Sequence, residues 1–364
     1  MNTKSKRLAW IFAATLALHI VGQSAQAEPY IAVQKGMQCS ACHSHPAGGG
    51  KRTVYGNVYA QSELAARRLG DGKAWTGELN PWLAIGADLR ASFVDVDIPD
   101  QSGTSDTDFR RGTIYLQATL IPNRLSVYVD QQFSPDNFEN REAYVRLNSK
   151  NNKWFVTAGE FYLPYGLRLQ DDSAFVRQAT GINFANTDRG VQGGYVSGPW
   201  STIASFTDGS GAGRDGSSKQ VSLVSSYMQP TWRAGVSVNF NNDDAGDRTM
   251  FGLFGGLKTG PVAWLAEIDS VSDDVSPGVT ADAFAGLLEA NWTIRDGHNL
   301  KISYDYLDPN NDISEDHQVR YSLIWEHSPL QFFQARVGYR LYDGIPQVAA
   351  QNRKELFIEL HGFF

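Results

Sequence analysis

From about Pro81 to the carboxyl terminus, apolar and polar residues alternate in short segments separated by turn residues. In the first segment Leu83, Ile85, Ala87, Leu89, Ala91 and Phe93 share one face, and Asp88, Arg90 and Ser92 share the other. A period of two with one apolar face is the pattern of a strand lying between two unlike environments. The alternation predicts strands near 82–96, 108–121, 124–133, 140–149, 152–162, 189–197, 200–207 and 218–228, then near 231–240, 248–258, 261–271, 280–293, 299–307, 316–326, 331–342 and 352–364. These sixteen segments form an even set, as an all-β, antiparallel transmembrane barrel made from one chain requires. No apolar stretch after residue 27 approaches the ~20 residues of a membrane helix.

The connections differ in length. Pro122-Asn123, Gly198-Pro199, Gln229-Pro230, Thr259-Gly260 and Ser328-Pro329 read as tight turns, whereas 97–107, 163–188, 208–217, 272–279 and 343–351 read as longer loops. Short turns on one rim and long loops on the other match the periplasmic and extracellular ends of a bacterial outer-membrane barrel. Trp82, Trp154, Trp200, Trp232, Trp264, Trp292 and Trp325 all fall on the turn side, where indoles form an interfacial girdle. Trp82 and Trp154 lie off the apolar parity that the other five follow. The opposite face carries Glu142, Arg146, Arg233, Glu267, Asp269, Asp305, Arg320, Arg336, Arg340, Glu355 and Glu359. Charges repeated on that face predict a wet lumen rather than the core of a soluble sandwich, where unpaired charges are costly.

The first residues change the picture of where the chain resides. Lys4, Lys6 and Arg7 precede an apolar run from Leu8 to Val21, and Ser24-Ala25-Gln26-Ala27 is a small-residue cleavage site. This is a secretory signal, and removing it with its three cations takes the formal charge from -7 to -10. An acidic exported chain is a poor ligand for nucleic acid. The resulting division is a signal peptide at 1–27, a small helical segment at 28–80 and an outer-membrane barrel at 81–364, with membrane lipid as its surroundings.

The chain has two cysteines, and both lie in Cys39-Ser40-Ala41-Cys42-His43. In an exported protein, C-x-x-C-H reads as the attachment site of one covalent haem c, with thioethers at Cys39 and Cys42 and His43 as the proximal iron ligand. The competing reading is a disulfide between the two thiols. A helix is predicted over about 57–69, ending at Gly70, and the whole segment is expected in or at the barrel lumen because so short a chain rarely sustains its own core. For the distal position, His45 and Met37 are too near the motif to reach the opposite haem face. Met228 and His361 are the barrel candidates, with His298 and His327 in turns. The run Pro46-Ala47-Gly48-Gly49-Gly50-Lys51-Arg52 is either a solvated linker or a turn that wraps the haem edge and pairs with its propionates.

Two further features bear on chemistry. Asp95, Asp97, Asp100, Asp106 and Asp108, then Asp243, Asp244 and Asp247, Asp273 and Asp274, and Asp308, Asp312, Glu315 and Asp316 make the long loops acidic. Such loops suit divalent-bridged lipopolysaccharide or a hard metal ion. The loop 163–188, with Arg168, Asp171, Asp172 and Arg177, is long enough to fold inward as a constriction. There is no nucleophile motif, P-loop or dinucleotide fingerprint, so no catalytic residue is assigned.

The string Pro29, Ala32, Gln34, Gly36, Met37, Cys39, Ser40, Cys42 and His43, followed by a porin-like barrel, resembles the fused monohaem cytochrome-porin family of outer-membrane iron oxidases. The resemblance implies an electron conduit in which a haem c bound at Cys39, Cys42 and His43 passes single electrons between an extracellular redox partner such as Fe(II) and a periplasmic c-type cytochrome. Two other functions remain open at this stage. One is a solute-diffusion porin with a haem plug or redox sensor, and the other is a haem enzyme with an open distal site.

Overall fold

The computed structural model describes residues 28–364 apart from 71, 134–137, 183–186, 210–218, 244–245 and 277. The expected signal peptide, Asp244 and parts of the loops at 163–188 and 208–217 therefore lie outside the described residues.

The strands are β1 (Leu83–Asp97), β2 (Thr104–Ile121), β3 (Leu125–Phe133), β4 (Phe138–Asn148), β5 (Trp154–Tyr162), β6 (Thr187–Ser197), β7 (Trp200–Thr207) and β8 (Lys219–Met228). They continue as β9 (Trp232–Asp243), β10 (Gly246–Thr259), β11 (Val262–Ser276), β12 (Val279–Arg295), β13 (His298–Asp308), β14 (Gln318–Leu330), β15 (Phe333–Asp343) and β16 (Lys354–Phe363). Each pairs antiparallel with its neighbours in sequence, and β16 closes on β1 with Ile358 opposite Phe93. The result is a closed barrel of 16 strands, which leaves no unpaired edge. A three-residue extension, Glu78–Asn80, pairs with the start of β1.

The outer wall is apolar. Val156, Leu253, Leu288, Ile302, Leu323 and Ile358 are exposed there, and all seven barrel tryptophans are 41–58 % exposed at the short-turn end. So much apolar area in water would cost about 25 cal/mol per Å2, so this wall is built for lipid. The barrel is of the outer-membrane class. Trp82 and Trp154 face outward with the other indoles, correcting the parity expected for them. Trp82 sits in the turn ahead of β1, and in β5 it is Phe155 that points inward while Trp154 packs 4.5 Å from Tyr195.

Other expectations shift locally. β2 begins at Thr104 because Thr104 to Asp108 continue the ladder with β1. The turn expected at Ser328-Pro329 is displaced to Gln331-Phe332, where Phe332 takes φ 68°. His298 and His327 consequently lie within β13 and β14, with stacked rings 4.2 Å apart.

The lumen is filled. Among the described residues, α1 (Pro29–Lys35) and α3 (Phe175–Thr180) pack against the inner wall, and α2 (Val54–Ser62) lies at the short-turn end. Tyr30 and Val33 of α1, Leu167, Leu169, Phe175 and Val176 of the inward loop, and Ile203, Leu265 and Leu287 of the wall form one buried apolar cluster. The helix predicted over 57–69 starts earlier and stops at Ser62. The Thr53 hydroxyl caps its first turn by accepting from Gly56 N at 3.1 Å. Beyond it, Ala66 N donates to Ser328 O at 2.8 Å and Leu69 N to Gln331 Oε1 at 2.7 Å, so rim contacts replace helical ones.

Candidate functional site

The Cys39–His43 motif is held between two helices and the short-turn rim. α1 has Pro29 in its first turn and ends at Gly36, whose φ of 63° and position only 2.7 Å (from its would-be Cβ) from Pro230 Cα admit glycine alone. Three hydrogen bonds of 2.8 Å pin this stretch to the short-turn rim at two places: Gln34 Nε2 donates to Pro261 O and Lys258 Nζ to Gln34 O at one, and Gln38 Nε2 to Pro199 O at the other. Cys39–Ala41 then form a 3-10 turn, and His43 N donates to Cys39 O at 3.1 Å. Thr53 joins the motif to α2, donating from its hydroxyl to Ala41 O at 2.6 Å and from its amide to Cys42 O at 3.0 Å.

The glycine run after the motif is a docking turn, not a solvated linker. Arg168 donates to Gly48 O, Arg146 Nη1 to Ser44 O at 2.9 Å, and Lys51 N to the Tyr128 hydroxyl at 3.0 Å. Lys51 is buried, and its ammonium donates to Arg52 O at 2.8 Å. His45 is buried against β5. Its Nδ1 accepts from Ala47 N at 3.2 Å, which leaves Nε2–H to donate to Tyr162 O at 3.2 Å.

Cys39, Cys42 and His43 line one cavity that is open at its mouth. Ile31, Ala32, Met37, Tyr55, Tyr59 and Leu64 supply wall from the amino-terminal segment; Gln170 comes from the inward loop, and Gln334, His361 and Phe363 from the barrel. The two thiols are not joined as a disulfide. Burial raises the Cys42 thiol to about 11, and Cys39 adds to the effect. Burial, helped by Arg52 and Arg168, holds the His43 imidazole down to about 3, so the ring is neutral and keeps a lone pair for a metal. His43 Nδ1 is buried with no hydrogen-bond partner. Two free thiols, a neutral histidine and a mostly apolar cavity are the side-chain set that a covalently attached haem needs. Arg52, also in the lining with its guanidinium 4.2 Å above the Phe363 ring, is the cation placed for carboxylates of the group.

Of the distal candidates, His361 lines this cavity and Met228 does not. His298 and His327 stand on the outward parity, away from it. Sequence reasoning missed Gln170, Gln334, Phe363, Tyr55 and Tyr59 as cavity residues. Only the spacing of the two tyrosines, one helical turn apart, carried a signal.

The loop after β5 folds inward, as its length suggested. Asp171 accepts from Arg320 and Arg340, each at 3.0 Å, Phe175 N donates to Asp305 Oδ1 at 3.3 Å, and Arg177 pairs with Glu267. Glu142, Gln192, Asn239, Asp305 and Arg320, spread around the wall, are each no more than 1 % exposed. A water-filled pore would leave them wet, so the expectation of a wet lumen is corrected to a polar but packed one. Among the described residues no group of three His, Cys, Asp or Glu side chains is arranged to hold a metal ion, and this includes the described acidic loops.

No family model matches the sequence, and no curated protein matches it. Solved structures do. OmpT of Vibrio cholerae is 13% identical with a TM-score of 0.61 over 79% of this chain and 99% of its own. An anion-selective porin from Comamonas acidovorans is 11% identical with a TM-score of 0.63 over 78% of this chain and 99% of its own. Salmonella typhi OmpF, solved with daunomycin, is 10% identical with a TM-score of 0.59 over 78% and 97%. The fold is that of the outer-membrane porins.

Proposed function

We propose that this chain is an outer-membrane electron conduit, passing single electrons through one covalently bound haem c between an extracellular redox partner, Fe(II) by the family resemblance, and periplasmic cytochromes. The observation that carries the reading is that Cys39, Cys42 and His43 open together into a cavity closed on its inner side by the barrel wall and the inward loop. A haem c bound there supplies reversible one-electron chemistry at its iron. The chain's own residues do the rest. Cys39 and Cys42 anchor the group, His43 ligates it, and Arg52 offsets carboxylate charge. The apolar wall excludes water and lipid, which sets the potential through solvent exposure.

The shared porin fold favours a second reading, a solute-diffusion porin with a plug. Burial around the lumen wall counts against an open pore.

Optical spectroscopy of protein from outer membranes, made with c-type maturation intact, tests the proposal. The expected result is a covalent c-type haem spectrum that is reduced by anaerobic Fe(II). Haem that ignores Fe(II) rejects iron as donor, rapid CO or cyanide binding supports an open-site enzyme, and absence of covalent haem rejects the conduit in favour of the porin.

A further inference from the structure

The two ends of this acidic protein carry opposite charge. At the long-loop end, Asp95, Asp97, Asp100, Asp106, Asp247 and Asp274 belong to the hairpins and their tips. At the short-turn end, Arg67, Arg68 and Lys73 of the segment between α2 and the barrel are exposed, as are Lys150 and Lys153 of the β4–β5 turn and Arg295 at the foot of β12. Glu63, Glu78 and Asp296 are the exposed acids described nearby, and Glu63 is paired with Lys35 at 3.3 Å.

The cationic end is also where the cavity opens. Lys35, Tyr55, Tyr59 and Leu64 line it, with Tyr55 44% exposed and its ring 6.3 Å from that of Tyr59. Val54 and Leu69 stand exposed beside them at 42% and 63%. Arg67 and Arg68 come three and four residues after Leu64, and the neighbouring Leu69 backbone is fixed to Gln331 by two hydrogen bonds of 2.7 and 3.0 Å. An apolar centre at a cavity mouth, with exposed cations on the same end of the barrel, has the form of an interface for a charged protein.

We propose that this face docks a soluble periplasmic electron carrier whose own redox centre is ringed by carboxylates. The proposal rests on the conduit reading and adds the chemistry of the partner. Docking brings the two centres close, one electron passes, one centre is oxidised and the other reduced, and no bond is made or broken. Cations around the mouth raise the encounter rate with an acidic partner and repel a basic one.

The test uses the full-length holoprotein in detergent and two soluble probes: a lysine-rich cytochrome c, and the same cytochrome with its lysines succinylated. Electron transfer is followed by stopped flow in the downhill direction. At low salt the succinylated probe should react about tenfold faster or more, the advantage should shrink as salt is added, and R67E/R68E should reverse the preference. Native gel mobility before and after heating checks that the variant barrel is folded. Rates insensitive to probe charge, or to R67E/R68E, overturn the docking surface while leaving the conduit standing. Unchanged rates together with loss of co-purified anionic lipid from R67E/R68E assign the face to lipid headgroups and also overturn it. A preparation with no covalent haem overturns the conduit, and the docking proposal with it.

Discussion

His361 Nε2 and Asp88 Oδ2 stand 2.7 Å apart across the seam where the last strand meets the first. Gln334 Oε1 lies 3.3 Å from the other ring nitrogen, but a neutral ring donates through one nitrogen only, and the shorter contact assigns that proton to Nε2. Iron could take Nε2 only at the expense of a short bond to a carboxylate, itself held by Arg90 at 3.2 Å. His361→Ala is therefore expected to leave the haem spin state unchanged in optical and electron paramagnetic resonance spectra. Conversion to high spin would show instead that iron had displaced Asp88.

Cys39→Ala/Cys42→Ala should abolish covalent haem without unfolding the barrel. The hydrogen bonds from Gln34 and Gln38 to the rim, and the apolar contacts of Val33, do not depend on the thiols. Haem staining after denaturing electrophoresis, alongside heat-modifiable mobility, reads both outcomes. Stain retained by the double variant would contradict attachment at this motif.

Gly56 brings α2 into close contact with the Cys39–His43 motif. A Cβ there would lie 2.2 Å from Cys42 O, so the contact is with backbone that cannot swing away. Gly56→Ala should displace α2 and cost roughly 1–3 kcal/mol. Hydrogen exchange over 54–62 should rise at least tenfold, with the barrel strands unaffected; unchanged protection would mean that the helix tolerates the shift.

The packed lumen predicts low conductance. In planar bilayers the wild-type protein should pass far less current than an open porin, and Asp171→Ala should raise it. Removing Asp171 leaves Arg320 to Asp305 and Arg340 to Glu355, so the inward loop loses its tie to both arginines while neither cation is left unpaired. Large wild-type currents would favour the diffusion-porin reading.

Glu28 predicts a pH dependence of plug seating. Burial, with Glu326 adding to it and Lys301 and Arg336 opposing, pushes its carboxyl up to about 7 from an ordinary value of 4.5. The folded state therefore holds a proton that the unfolded chain has released between those values, and stability falls as pH rises through that window. Protection of α1 against exchange, corrected for intrinsic rates, should be higher at pH 5 than at pH 8, by an amount of order 1–3 kcal/mol. Glu28→Gln should flatten the profile, and a profile that persists in that variant would move the effect to another group.

Local pattern determined a great deal here. The period of two set all sixteen strands, the turn dipeptides set most of the short rim, and Cys39-Ser40-Ala41-Cys42-His43 marked the haem candidate, because strand alternation and a five-residue motif are both written within a few residues. Tertiary structure decided whatever depended on residues distant in sequence. α2 ends at Ser62 and not Leu69 because Ser328 and Gln331, far along the chain, supply the partners. Trp154 faces lipid because pairing of β5 with β6 fixes its register. His361 reaches the cavity and Met228 does not because barrel closure carries β16 back beside β1. The same charges that read as a wet lumen become a packed one once the inward loop brings Asp171 and Arg177 to Arg320, Arg340 and Glu267. Alternation records which face is polar; whether water or another part of the chain meets that face is settled only when the barrel closes around it.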